Sequence, residues 1–135
     1  MPQVVVAVRT HADVYGVTRA VRAAARAAGV VDPGRLEGLA LAATELATNL
    51  ARYAERGRVT VTAIDREGRH GVEVRGDDEG PGIADLDRAL RDGESTAEGS
   101  LGGGFGTMRR GVDEFAIEST GAGTHVVLRT WAVRR

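Results

Sequence analysis

Nine of the chain's 19 glycines fall between Gly76 and Gly106, at positions 76, 80, 82, 93, 99, 102, 103, 104 and 106. Glycine brings no apolar surface and loses more backbone freedom on folding than any other residue, so such a stretch has little to bury. Long irregular loops are uncommon in compact domains and are usually either functional or disordered. The core has to come from the segments on either side.

Those segments are strongly periodic. Val4 to Arg9 is a β-branched run and predicts a strand. Thr10 to Asp13 can cap a helix in which Val14, Val17, Ala20, Val21, Ala24 and Ala28 recur at helical spacing, closed by Gly29. Asp32-Pro33 then starts a second helix with an N-cap residue followed by proline at the first helical position. Its stripe is Leu36, Leu39, Ala43, Leu46, Leu50 and Tyr53, ending near Gly57. Val59 to Ile64 and Gly71 to Arg75 predict two strands, with a hairpin turn over Arg66 to His70 that holds Gly68. Beyond the glycine-rich stretch, Thr107 to Val112 predicts a brief helix. Phe115 to Ser119 and Thr124 to Val133 predict two more strands around Gly121-Ala-Gly123. Within the stretch, Asp85 to Arg91 predicts one short amphipathic helix. Strands in runs with helices grouped apart point to a single two-layer α/β domain over residues 1–135, without a linker or an internal repeat.

Composition removes several function classes. Cysteine is absent, which excludes disulfides, zinc–thiolate sites and thiol nucleophiles. All 18 basic residues are arginine, so Schiff-base chemistry and the Gly-Lys pair of a Walker A loop are excluded as well. A net charge of −1 with 4% aromatic residues gives neither an electropositive footprint nor a stacking platform for nucleic acid. No apolar run is long enough to span a bilayer and no signal-peptide pattern opens the chain, so a cytoplasmic protein without a membrane partner is expected.

Three groups of residues could carry chemistry. Glu45 and Asn49 are four apart on the second helix and share a face at the border of its apolar arc. That border suits a partly dry cleft, and equally a boundary pair bonded to neighbouring backbone. Asp77-Asp78-Glu79-Gly80-Pro81-Gly82 follows a strand directly and reads either as a surface turn or as a turn that lets backbone approach a ligand. A carboxylate held there only accepts hydrogen bonds and so suits an exocyclic amine. Gly99-Ser-Leu-Gly-Gly-Gly-Phe-Gly106 runs into a helix, as a flexible linker does, or as a loop whose free N–H groups order around phosphate. His11, His70 and His125 are far apart and lack partners at metal-ligand spacing. Arg109-Arg110 and Arg134-Arg135 are expected at the solvated surface.

The order of these motifs carries more than any one of them. Glu45-Leu-Ala-Thr-Asn49, then Asp78-Glu-Gly-Pro-Gly82, then the Gly99–Gly106 segment, then Gly123-Thr124 in a final strand resembles the GHKL ATPase superfamily. Within it, the chain is similar to the small anti-sigma-factor-type serine/threonine kinases of the RsbT-like branch. The likeness extends through Thr44 to Ala54 and Val112 to Ser119, and so over essentially the whole chain. It implies an α+β fold: a two-layer α/β sandwich of the GHKL type, with a mixed, mainly antiparallel sheet packed on helices.

The resemblance also implies ATP and Mg²⁺, with roles for matching residues. Asn49 would coordinate Mg²⁺ and Glu45 would act as general base on a substrate hydroxyl. Asp78 would accept from the adenine amine, helped by Thr124, with Gly80 and Gly82 letting the backbone come close. Gly102, Gly103, Gly104, Phe105 and Gly106 would form the lid over the phosphates, mobile when empty. One position departs from sporulation-type relatives, which carry Arg-Ser just before the lid glycines. Here Ser100 and Leu101 stand there, as is usual for the RsbT-like branch. The implied partners are a STAS-domain antagonist, phosphorylated on serine or threonine, a PP2C-type phosphatase activated by the released kinase, and a sigma factor if the chain is instead an anti-sigma protein. In a second reading nucleotide only sets the conformation of an anti-sigma or activator module. The ATP domain of a histidine kinase is not expected, since no phosphoacceptor-helix domain precedes residue 1.

Overall fold

The structure is a computed structural model that describes residues 3–53, 56–80 and 103–133. Strand β1 (Val4–Val8) leads into helix α1 (His11–Ala28) and helix α2 (Pro33–Tyr53). Strands β2 (Gly57–Arg66) and β3 (Arg69–Asp77) follow, then helix α3 (Gly103–Gly111) and strands β4 (Glu114–Thr120) and β5 (Gly123–Trp131). The five strands form one sheet in the order β1-β2-β3-β5-β4, and all four pairings are antiparallel. The described helices cover one face, giving the expected two-layer α+β sandwich. The helix expected over Asp85–Arg91 lies outside the described residues.

Local chemistry explains where the helices begin and end. Asp13 in the first turn of α1 turns its Oδ2 back to accept from the N–H groups of Arg9 and Thr10, at 2.8 and 3.0 Å. These two bonds satisfy donors ahead of the helix and hold the carboxyl below its ordinary range. At the other end Gly29 takes φ +82°, and Val30 N–H reaches back to the Ala25 carbonyl at 2.8 Å. This is a Schellman closure, available to glycine because it needs a left-handed residue. Helix α2 starts where Asp32 Oδ2 accepts from Arg35 N–H at 3.1 Å.

The strands run further than the β-branched runs suggest. Strands β2 and β3 continue inward until only Glu67 and Gly68 are left between them, at φ +54° and +79°. Two successive left-handed residues make the turn whose twist matches that of the flanking strands, and Asp65 Oδ1 accepting from Gly68 N–H closes it. Alternation then sorts the side chains. Val59, Val61, Val72, Val74, Val126 and Leu128 are buried under the helices with Leu39, Leu46 and Met108. The opposite face carries Arg58, Thr60, Glu73, Arg75, Asp77, Glu118 and His125 around an open groove of about 840 Å³.

One polar cluster fastens the edge of that face. Glu114 accepts from Trp131 Nε1 at 2.6 Å, from Arg66 at 2.9 Å and from Arg129 at 3.3 Å, while the Arg66 guanidinium lies 4.6 Å from the Trp131 ring. The Trp131 hydrogen bond, then that of Arg66, holds the Glu114 carboxyl below the usual carboxylate range. A depressed acid stabilises the fold above its unfolded pKa of about 4.3 and loses that contribution as pH falls through the folded value. Glu114→Gln is therefore expected to cost about 1 kcal/mol near neutrality, allowing for its partial exposure. Urea unfolding at pH 7 and at pH 3.5 checks this, since the difference from wild type should shrink on acidification.

Candidate functional site

The site grows from the end of β3, where the pleat sends two adjacent aspartates to opposite faces. Asp77 turns to the open face, where its Oδ1 lies 2.5 Å from His125 Nδ1 in the directly opposed register position. Asp78 belongs to the helix side. Its N–H donates to the Thr124 carbonyl at 3.1 Å, extending the β3–β5 ladder past the last paired residue. Its Oδ1 accepts from Thr124 N–H at 2.9 Å and from Gly80 N–H at 3.3 Å. One carboxylate oxygen is thus consumed in fixing the side chain, and Oδ2 has no partner among the described residues.

Glycine makes this close approach possible. Gly123 adopts φ +148°, and a side chain there would collide with the Asp78 carbonyl oxygen. Next to it, the Thr124 Oγ1 and Ser119 Oγ atoms lie 3.0 Å apart across the β4–β5 pair.

Helix α2 brings the second group to the same end of the sheet. Leu46 packs on Gly76, where a Cβ would stand 2.6 Å from the Leu46 side chain. The missing side chain lets α2 settle against β3 two residues before Asp78. Glu45 and Asn49 flank that contact on the helix and are half-buried. Asn49 Nδ2 is fully buried and has no hydrogen-bond partner among the described residues. An unpaired buried amide costs about 1–3 kcal/mol, so the position suits a bound polar group. Rotation of the amide puts its carbonyl oxygen in the same place, and a Mg²⁺ ion held mainly by phosphate and water asks only one or two oxygens of a protein. Among the described residues no cluster of three or more His, Asp or Glu side chains could hold a metal ion.

The lid segment differs from its expectation. The helix predicted from Thr107 begins at Gly103, so Gly103, Gly104, Phe105 and Gly106 form its first turn instead of a loop ahead of it. The reason is burial. Phe105 is 2% exposed, with its ring 6.5 Å from that of Phe115, and Met108 one turn on is fully buried. The Phe105 side chain is committed to the core, so what this residue can offer a ligand is its backbone N–H. The first N–H groups of a helix have no carbonyl partner within it and favour anions. Helix α3 lies on α2 at a glycine crossing, where a Cβ on Gly38 would be 2.6 Å from the Gly111 carbonyl oxygen. Gly82, Ser100, Leu101, Gly102 and the Arg134-Arg135 pair lie outside the described residues.

Several contributors are not evident as site residues in the sequence. Ser119 is found only by counting back from the Gly121-Ala-Gly123 turn, which sets it opposite Thr124. The histidines are not all without partners: besides the His125–Asp77 pair, His70 Nδ1 is 3.3 Å from Asp65 Oδ2. Both contacts are to single carboxylates. Arg109 and Arg110 are exposed as expected, with the Arg109 guanidinium 5.6 Å from the Phe115 ring.

This arrangement of an antiparallel sheet, a helix carrying Glu45 and Asn49, and an anchored Asp78 defines an ATPase-domain class. Residues 8–130 match the family described as histidine kinase-like ATPase domain, and the chain belongs to that GHKL-type family. It is 36% identical over 104 residues to the serine/threonine-protein kinase RsbT of Bacillus subtilis (strain 168), covering 76% of this chain and 75% of that protein. The fold is also shared with the histidine kinase domain of a blue-light-activated histidine kinase from Erythrobacter litoralis, at TM-score 0.53 and 19% identity. That match covers 89% of this chain and 63% of the other. No helix among the described residues is long and apolar enough to cross a membrane.

Gly123→Ala is expected to destabilise the protein by about 2 kcal/mol, through backbone strain and overpacking against Asp78. Urea unfolding gives the loss. Amide resonances of Asp78 and Thr124 should shift more than those of Val72 and Val74, and unchanged stability would remove the steric role assigned to this glycine.

Proposed function

We propose that this chain is an ATP- and Mg²⁺-dependent protein serine/threonine kinase that phosphorylates a STAS-domain antagonist in a partner-switching pathway. The observation that carries the reading is the buried, unpartnered amide of Asn49 on a helix seated beside the anchored Asp78. The similarity to RsbT, which is named as a serine/threonine-protein kinase, supports it.

In this reading the free Oδ2 of Asp78 accepts from the adenine amine and the Thr124 hydroxyl assists. Gly80 contributes an N–H that holds Asp78 in place, and Gly82 gives the turn room for a nucleotide. Asn49 would supply an amide oxygen to Mg²⁺, and the lid from Gly102 to Gly106 would offer N–H groups to the phosphates. Bound there, Mg-ATP supplies the phosphoryl group that is transferred. Glu45, one helical turn before Asn49, takes the proton from the attacking serine or threonine hydroxyl. Phosphoryl transfer relies on positioning and charge neutralisation more than on covalent chemistry, so a chain without lysine can perform it. Once released from its antagonist, the kinase would bind and activate a PP2C-type phosphatase. Work in the cytoplasm suits all these partners.

With Ser100 and Leu101 before the lid glycines, charge on the transferred phosphate is left to Mg²⁺, the lid amides or another arginine, and failure of transfer would leave a second reading. There the chain is a nucleotide-set anti-sigma or activator module, with a sigma factor as its partner.

Calorimetric titration with Mg-ATP is expected to show binding by wild type and a loss of about 10- to 100-fold in Asp78→Ala, the worth of a hydrogen bond to a charged group. Glu45→Ala should bind ATP nearly as wild type does yet transfer phosphate to a STAS-domain protein about 10²–10⁴ times more slowly. Full transfer by Glu45→Ala would remove it as the base. ATP binding without any transfer by wild type would select the second reading.

A further inference from the structure

We propose that Ser119 is a positioning residue for base recognition, holding the Thr124 hydroxyl so that Asp78 and Thr124 together read an amine beside a ring acceptor nitrogen. The proposal rests on the reading above that the base sits against Asp78. It concerns a residue that reading does not use.

Thr124 has almost no freedom left apart from its hydroxyl proton. Its N–H is given to Asp78 Oδ1 and its carbonyl accepts from Asp78 N–H. Its χ1 is stiff because it is β-branched. The remaining variable is where the O–H points, and among the described residues the side chain that meets that oxygen is Ser119, whose Oγ is 3.0 Å away in the opposed register position. A hydroxyl has one proton to donate and two lone pairs to accept with. If Ser119 donates to Thr124 Oγ1, the Thr124 proton is turned outward and becomes a donor to the ligand. If the direction is reversed, Thr124 offers only a lone pair.

Asp78 decides between the two. With Oδ1 occupied by two N–H groups, its other oxygen takes a donor from the base. On an adenine edge the atom next to the amine is an unprotonated ring nitrogen, which needs a donor from the protein. The chain Ser119 O–H to Thr124 O–H to ring nitrogen runs in one direction, and each bond polarises the next. A guanine edge sets a carbonyl oxygen against the carboxylate and an N–H against the outward-turned hydroxyl proton, so both positions repel it. Specificity for the base is therefore shared by three side chains, one of which touches no ligand.

The test compares ATP with 1-deaza-ATP, in which the ring acceptor nitrogen is replaced by C–H, by calorimetric titration into four proteins. Wild type should bind ATP about tenfold more tightly than the analogue, the worth of one well-formed hydrogen bond. In Ser119→Ala the preference should fall to about twofold. The near-isosteric variants Ser119→Thr and Ser119→Val isolate the hydroxyl without depending on Ser119→Ala folding well: the first should keep the preference and the second lose it. A merely structural role would weaken both nucleotides equally and leave their ratio near ten. That result, or an unchanged ratio in Ser119→Val, overturns the proposal. Asp78→Ala is run alongside: if it binds ATP as wild type does, the base lies elsewhere and the inference falls with the reading beneath it.

Discussion

The pairing of β3 with β5 is the interaction on which the other features depend. It runs antiparallel from Gly71 opposite Trp131 to Asp77 opposite His125, and the Asp78–Thr124 bonds carry it one step beyond regular strand. The same pairing sets Glu73 against Arg129, at 2.8 Å, on the open face and Val74 against Leu128 in the core. A sheet register is pinned when one face is fully buried, because a slip would expose every apolar side chain on it. Burial of Val72, Val74, Val126 and Leu128 thus fixes the geometry of a carboxylate that is itself at the edge of the core.

Much of the fold was legible because its elements carry their own punctuation. Thr10 with Asp13, Gly29, and Asp32-Pro33 mark three helix ends by local chemistry that needs no tertiary partner. The antiparallel pairs were legible in kind but short in extent. Arg66 and Arg69 extend the strands because Trp131 offers a ring to both of them, a contact between residues far apart in sequence. The start of α3 was hidden for a related reason. Three glycines among four residues speak against a helix locally, and burial of Phe105 and Met108 overrides that preference.

The candidate site was legible to the extent that its side chains lie in recognisable short motifs. Glu45, Asn49, Asp78 and Thr124 were all marked by sequence, and the described structure brings α2 and the β3–β5 end together. What sequence did not show is the support. Gly76 matters because Leu46 packs on it, and Gly38 because it meets Gly111. Absent side chains of this kind leave no sign until the opposing element is known. The open face posed a different difficulty. Its histidine and carboxylates are scattered along the chain, and only the register puts Asp77 beside His125.

The run Asp77-Asp78-Glu79 has a consequence for how the site tolerates change. The ladder position opposite Thr124 is defined by strand parity, and here it holds the middle of three consecutive carboxylates. A slip of one residue toward the chain's end would deliver Asp77 to that position, and a slip the other way would deliver Glu79. Either error keeps an acceptor beside the Thr124 N–H; the first leaves Gly76 opposite His125, whereas the second sets Asp78 there. The acidic triplet therefore does not distinguish one register from its neighbours, and the choice among them falls to burial of Val72 and Val74.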